Sequence, residues 1–292
     1  MEKIAVKDEL SILMELLDEQ DEQSLKKISD SIVAYGNTAI PYLEATRDIT
    51  LDSIVQSRIK KIIYRIIFQN LFCELHTWAT LNSKDLLKGY FLISKYFFPD
   101  LEEERIMAQV EALKKEVWLE LKKGMTPFEE TKVISKVFFE VRKYSLNQNP
   151  GSMPDCVCLN ALLNTGKGYP EAFAMLYAGI AQRLGIPVYG IKMTDSMFVA
   201  YVYPDGKKSL DLRNDLRFYI NPFAAGVFFQ VKQIEAHIVQ NYPDDFEKYS
   251  GACTNVEFIQ KILVIIEEHY IRKNKPDKVE DIKLLIKALN VE

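Results

Sequence analysis

Residues 172–184 read Ala-Phe-Ala-Met-Leu-Tyr-Ala-Gly-Ile-Ala-Gln-Arg-Leu. Phe173, Leu176, Ile180 and Leu184 recur at helical spacing, with small Ala172, Ala174, Ala178 and Ala181 between them. The pattern predicts a helix of about four turns that is buried and packed closely under a sheet. Gly168 and Gly185 fit backbone roles at its start and end. A helix this apolar needs cover from several sides, so the rest of the chain is constrained to build layers around it.

The flanking segments supply those layers. Upstream the chain reads as successive helices: stripes at Leu10, Leu13, Leu16 and Leu17, then at Leu25, Ile28, Ile32 and Val33, the second ending at Gly36-Asn37. Ser83 is a candidate N-cap for a helix carrying Leu86, Leu87, Tyr90, Phe91, Ile93 and Phe97, which Pro99 breaks. Leu101–Leu121 follows as a long amphipathic helix. Thr126-Pro127-Phe128-Glu129 opens another, with a capping threonine, a first-position proline and an early acid. Residues 145–158 are rich in turn formers and read as a loop.

After Leu184 the period shortens. Val188–Lys192, Met197–Tyr203, Ser209–Leu212 and Phe218–Ile220 read as strands, with a hairpin signal at Tyr203-Pro204-Asp205-Gly206. Two helices close the chain, one lined by Val256, Ile259, Ile262, Leu263 and Ile266, the other by Val279, Ile282, Leu285, Ile286 and Leu289. The expected fold is α+β and mostly helical: a central helix packed on a small antiparallel sheet, flanked by helices on both sides. Three regions follow: a helical N-terminal region at 1–82, a core with its helical lead-in at 83–228, and a helical tail at 229–292.

Composition narrows the function classes. A formal net charge of −4 over 292 residues, with lysines and arginines scattered among acids, argues against nucleic-acid binding. The most apolar run, Ile62–Phe72, is broken by Arg65, Gln69 and Asn70 and is too short for a bilayer. The first residues have no basic stretch followed by an apolar core, and the four cysteines show no framework spacing. A cytoplasmic protein with no membrane partner is expected. Cys156-Val157-Cys158 lacks the second Cys/His pair that a tetrahedral metal site needs, so no metal and no cofactor are expected.

Three phrases carry a family resemblance. Leu159-Asn160-Ala161-Leu162-Leu163, Gly168-Tyr169-Pro170 and Leu184-Gly185-Ile186-Pro187-Val188-Tyr189-Gly190 resemble, in order and spacing, the core of the transglutaminase-like superfamily. The likeness is nearest to its SirB-type branch, the transglutaminase-like core 2 group. Ser196-Met197-Phe198-Val199-Ala200 and Ile220-Asn221-Pro222-Phe223 match later phrases, and the resemblance spans about residues 83–290. Outside it, Tyr35–Leu43 is similar to the turn of a HEAT-type helix pair, and the closing helices resemble one tetratricopeptide-like unit.

The resemblance implies a papain-like arrangement: a cysteine nucleophile at the N-terminus of the central helix, a histidine on the next strand and an aspartate after it. Helix dipole and imidazole would together lower the thiol pKa. Here those positions hold Pro170, Met197 and Asn221. None is a nucleophile, methionine cannot take a proton, and asparagine has no imidazole to orient. Glu171 beside the nucleophile position further disfavours a thiolate. Gly168, Tyr169, Glu171, Asp195 and Ser196 are expected to border the vestigial cleft. Asp211, Arg213, Asn214, Asp215 and Arg217 are expected to form a solvated tip, or to rim the same cleft.

Three functional readings follow. The chain is a catalytically inactive transglutaminase-like protein acting as a binding or regulatory module, its vestigial cleft either filled in by Met197 or open to a small molecule or peptide. Alternatively it is a hydrolase or transferase using displaced residues such as Cys158 or Glu171. The third reading is a structural scaffold whose helical ends bind a protein partner.

Overall fold

The computed structural model describes residues 2–147, 152–191, 197–203, 211–212 and 214–290. Its internal contacts divide the chain into two compact units, 1–74 and 75–292.

The first unit is helical. It comprises α1 (Glu2–Glu15), α2 (Glu22–Ala34), α3 (Ile40–Ile49) and most of α4 (Ser53–Thr77). Local chemistry sets the boundaries. Asp21 caps α2 by accepting from the Ser24 N–H at 2.7 Å. Gly36 just beyond α2 takes φ +57°, a conformation that costs glycine little. Leu10, Leu17, Ile32, Leu43 and Ile59 are fully buried in this unit's core. Arg58 holds the α1–α2 connection by donating to the carbonyls of Leu17 (2.6 Å) and Glu19 (2.9 Å).

The second unit continues through a π-helical turn at Trp78–Asn82 into α5 (Leu86–Phe97), α6 (Glu103–Glu120) and α7 (Pro127–Lys136). Asp85, rather than the expected Ser83, caps α5, its carboxylate accepting from the Lys88 N–H. The α7 start is as expected: Thr126 and Glu129 form a reciprocal capping box.

Segment 145–158 is not simply a loop. It holds β1 (Ser145–Leu146) and the short helix α8 (Met153–Val157), opened by a Ser152–Asp155 capping box. Next come α9 (Leu159–Thr165), β2 (Lys167–Gly168) and the central helix α10 (Pro170–Arg183). The antiparallel sheet follows in the order β3 (Val188–Gly190), β4 (Val199–Val202), β5 (Leu216–Asn221) and β6 (Val227–Gln230). The strand expected at 209–212 is not formed where the chain is described: Asp211 and Leu212 are non-strand, and residues 209–210 and the 204–207 turn lie outside the described residues. β6 is an addition to the expected set. The chain closes with α11 (Val231–Asn241), α12 (Phe246–Tyr249), α13 (Asn255–Arg272) and α14 (Pro276–Leu289).

The central helix is buried as its composition requires, with every residue from Ala172 to Ala181 out of solvent. Glycines allow the closest approaches. A Cβ on Gly179 would lie 2.4 Å from Leu87 Cγ of α5, and one on Gly190 of β3 would lie 2.5 Å from Phe258 Cγ of α13. The second unit is therefore a mostly helical α+β domain in which α10 packs against α5 and β3. Among the described residues no helix is long and apolar enough to cross a membrane.

Candidate functional site at the start of the central helix

The approach to α10 is fixed by backbone pairing. β1 and β2 run parallel, with Ser145 opposite Lys167 and Leu146 opposite Gly168. The N–H groups of Ser145 and Asn147 donate to the carbonyls of Gly166 (3.0 Å) and Gly168 (2.9 Å). Gly166 ends α9 at φ +67°. Gly168 is buried, and a Cβ there would stand 3.0 Å from Leu162 Cδ1 and 3.3 Å from Ala172 Cβ. The chain enters the helix through a tight gap in which a Cβ would require Leu162 and Ala172 to give way by a few tenths of an ångström.

Tyr169 occupies the N-cap position in extended backbone without a side-chain cap, and Pro170 takes the first helical position. A proline there removes an N–H that would have had no helical partner. It leaves no side chain that can attack a carbonyl. Glu171 follows in the first turn, half-buried. Burial raises its carboxyl above the ordinary value of 4.5, against the opposing pull of its own backbone N–H and the Lys261 ammonium.

Tyr90 of α5 lies close enough for its phenol to feel both Glu171 and Cys158. It is fully buried, its hydroxyl has no hydrogen-bond partner, and burial drives its pKa well up. Asn160 Oδ1 is likewise buried without a partner. Cys158, 1% exposed, precedes α9. The sequence puts Tyr90 on the apolar stripe of its helix and gives no sign of a role for Lys261. Their helices are far apart along the chain, so no local pattern links them to Glu171.

The other two positions lie together at one end of the sheet. β4 and β5 pair with Val199 opposite Ile220, so Met197 stands just before β4 and Asn221 at the end of β5. Met197 is 4% exposed. Beside it, the Phe198 ring stacks with Phe223 and Phe229. Asn221 is engaged locally: its Oδ1 accepts from the N–H groups of Phe223 (3.2 Å) and Ala224 (3.1 Å). Its backbone carbonyl accepts from Gly226 N–H at 3.0 Å, closing the turn into β6. A Cβ on Gly226 would collide with Ser135 Oγ at 1.9 Å, so this turn requires glycine. Asp195 and Ser196, expected at the cleft, lie outside the described residues, as does Arg213.

The expected polar tip is partly internal. Asp215 is 2% exposed and accepts from the Asp211 N–H at 2.8 Å, while Asn214 donates to Asp211 through backbone (3.1 Å) and side chain (2.7 Å). Arg217 donates to the Tyr203 carbonyl at 3.2 Å. Asp215 anchors the β4–β5 connection from inside, while Asp211, Asn214 and Arg217 are exposed to solvent. The imidazoles also have structural contacts: His76 Nδ1 lies 3.0 Å from the Ala288 carbonyl, and exposed His237 is hydrogen-bonded by Asn241 of its own helix. Among the described residues no three His, Cys, Asp or Glu side chains form a metal-holding group.

Comparison with curated proteins and with solved structures gives no significant match. A family model described as Transglutaminase-like superfamily, of the core 2 type, matches residues 104–264, more than half of the chain. The matched stretch begins in α6, ends within α13 and contains Pro170, Met197 and Asn221. That stretch takes in the buried helix entered through Gly168-Tyr169-Pro170 and the antiparallel sheet after it, and the chain belongs to the transglutaminase-like superfamily.

Proposed function

We propose that this protein is a catalytically inactive transglutaminase-like protein of the SirB-type branch, acting in the cytoplasm as a binding or regulatory module. The observation that carries the reading is the state of the three positions implied by the resemblance. Pro170 offers no nucleophile, Met197 is a buried thioether, and the Asn221 side-chain oxygen is occupied by its own turn. Acyl transfer through a thiolate needs a nucleophile and a base in mutual reach, and these residues supply neither. The burial of Cys158 speaks against a displaced nucleophile there.

The test pairs an activity assay with thiol chemistry. Incorporation of a fluorescent primary amine into a glutamine-rich acceptor protein should not exceed the protein-free background. Iodoacetamide at about pH 6 should label every native cysteine slowly, with no site running ahead as a low-pKa thiolate would. Amine incorporation that disappears in Cys158→Ser would overturn the reading.

A further inference from the structure

A second surface lies in the first unit, and its chemistry is independent of whether the core is catalytic. The end of α1, the length of α3 and the start of α4 enclose a groove of about 640 Å³. Met14, Tyr42 and Val55 contribute apolar floor, and Glu15, Asp18 and Asp52 contribute carboxylates. No lysine or arginine lines it. Among the described residues, none of these three carboxylates has an ion-pair partner.

The rim adds an apolar group that the fold leaves uncovered. Ile49 is 81% exposed, Leu51 is 99% exposed and Ile54 is 58% exposed, all at the α3–α4 turn. Single exposed aliphatic residues are ordinary, but three within six positions beside an acid-lined groove are not. Apolar side chains in a row, flanked by unpaired charge of one sign, describe one half of an interface.

The walls specify the occupant. They are helices whose main-chain groups are already bonded internally, so an incoming segment must satisfy its own backbone. An extended peptide finds no strand edge here, whereas a helix meets that condition. Ser11, Glu15 and Asp18 recur along one face of α1 and its continuation, giving the groove a run of roughly 10 Å, about two helical turns. We propose that this groove docks an amphipathic, basic helix of a protein partner. Its aliphatic side chains would cover Ile49 and Leu51, and its lysines or arginines would meet Glu15, Asp18 and Asp52.

The probe is a fluorescein-labelled helix of about 14 leucine and lysine residues, titrated with the full chain and followed by anisotropy, with a leucine–glutamate helix as counterpart. The lysine helix should bind and the glutamate helix should not. Glu15→Lys combined with Asp18→Lys should weaken binding about tenfold or more, and Ile49→Asp likewise. Glu102→Lys with Glu104→Lys, at the N-cap and in the first turn of α6, makes the same change in net charge and should alter binding less than about twofold. These positions are exposed, so circular dichroism of the variants should match the parent.

Equal weakening by both charge pairs, binding of both helices alike, or no binding up to about 1 mM overturns the proposal. So does sedimentation that shows a dimer dissociated by Ile49→Asp, since the groove would then hold a second copy of this chain.

Discussion

Gln182 near the end of α10 and Asn255 at the start of α13 exchange side-chain hydrogen bonds, each amide donating to the other's oxygen at 3.0 Å. Asn255 Nδ2 also donates to the carbonyls of Ser83 (2.9 Å) and Lys84 (3.2 Å). One half-hidden amide pair thus ties the central helix to the tail and to the segment before α5. Asn255→Ala strands several acceptors at once and should cost about 2–3 kcal/mol, read from urea unfolding. A cost under about 0.5 kcal/mol would mean that water replaces the amide freely.

Two phenols in the core make opposite predictions. The Tyr177 hydroxyl donates to the Thr131 carbonyl at 2.7 Å and lies 3.1 Å from Ser135 Oγ, and its burial raises it well above 10.0. The Tyr90 hydroxyl has no partner. Tyr177→Phe should therefore lose about 1–2 kcal/mol, whereas Tyr90→Phe should be neutral or stabilising. A large loss at Tyr90 would reveal a bridging water or ligand beside Glu171 and Cys158.

Close approach at glycine should also be measurable. Gly179→Ala and Gly190→Ala press a methyl into Leu87 and into the Phe258 ring, and each should cost about 2–3 kcal/mol or more in thermal unfolding. Gly185→Ala meets no atom within 4 Å but must adopt φ +78°, so strain alone should cost about 1–2 kcal/mol.

Glu171 gives a pH signature of known sign. Burial raises its folded pKa above 4.5, so the native state keeps a proton that the unfolded chain has released. Its contribution is most favourable below 4.5 and declines as pH rises from 4.5 through the elevated folded value. Glu171→Gln should remove that decline. The parent-minus-variant stability difference should fall across this window, and a flat difference would place the carboxyl in ordinary solvent.

Legibility in the sequence followed the range of the interactions involved. The α7 start was readable because Thr126, Pro127 and Glu129 are adjacent and cap one another. The central helix was readable because its spacing and bordering glycines lie within one segment. Helix α8 was missed because Gly151, Ser152 and Pro154 look like turn formers until the Ser152–Asp155 box closes. Strand β6 was missed because Val227–Gln230 is short and takes its conformation from pairing with β5. At the candidate site, the residue types at Pro170, Met197 and Asn221 were readable, but the turn that occupies Asn221 was not. Nor was the meeting of Tyr90, Cys158 and Glu171, which depends on packing between separate helices.

The glycine at position 179 bears on how this protein can be taken apart. The stretch that the family model matches starts at residue 104, yet the side chain filling the notch at Gly179 is Leu87, and α14 beyond residue 264 receives Tyr96 through Asp281. A fragment trimmed to the matched stretch would expose one flank of its own central helix and lose α14 together with the end of α13. The inherited module and the smallest piece that can fold are therefore different lengths of chain, and dissection of this protein should follow the packing.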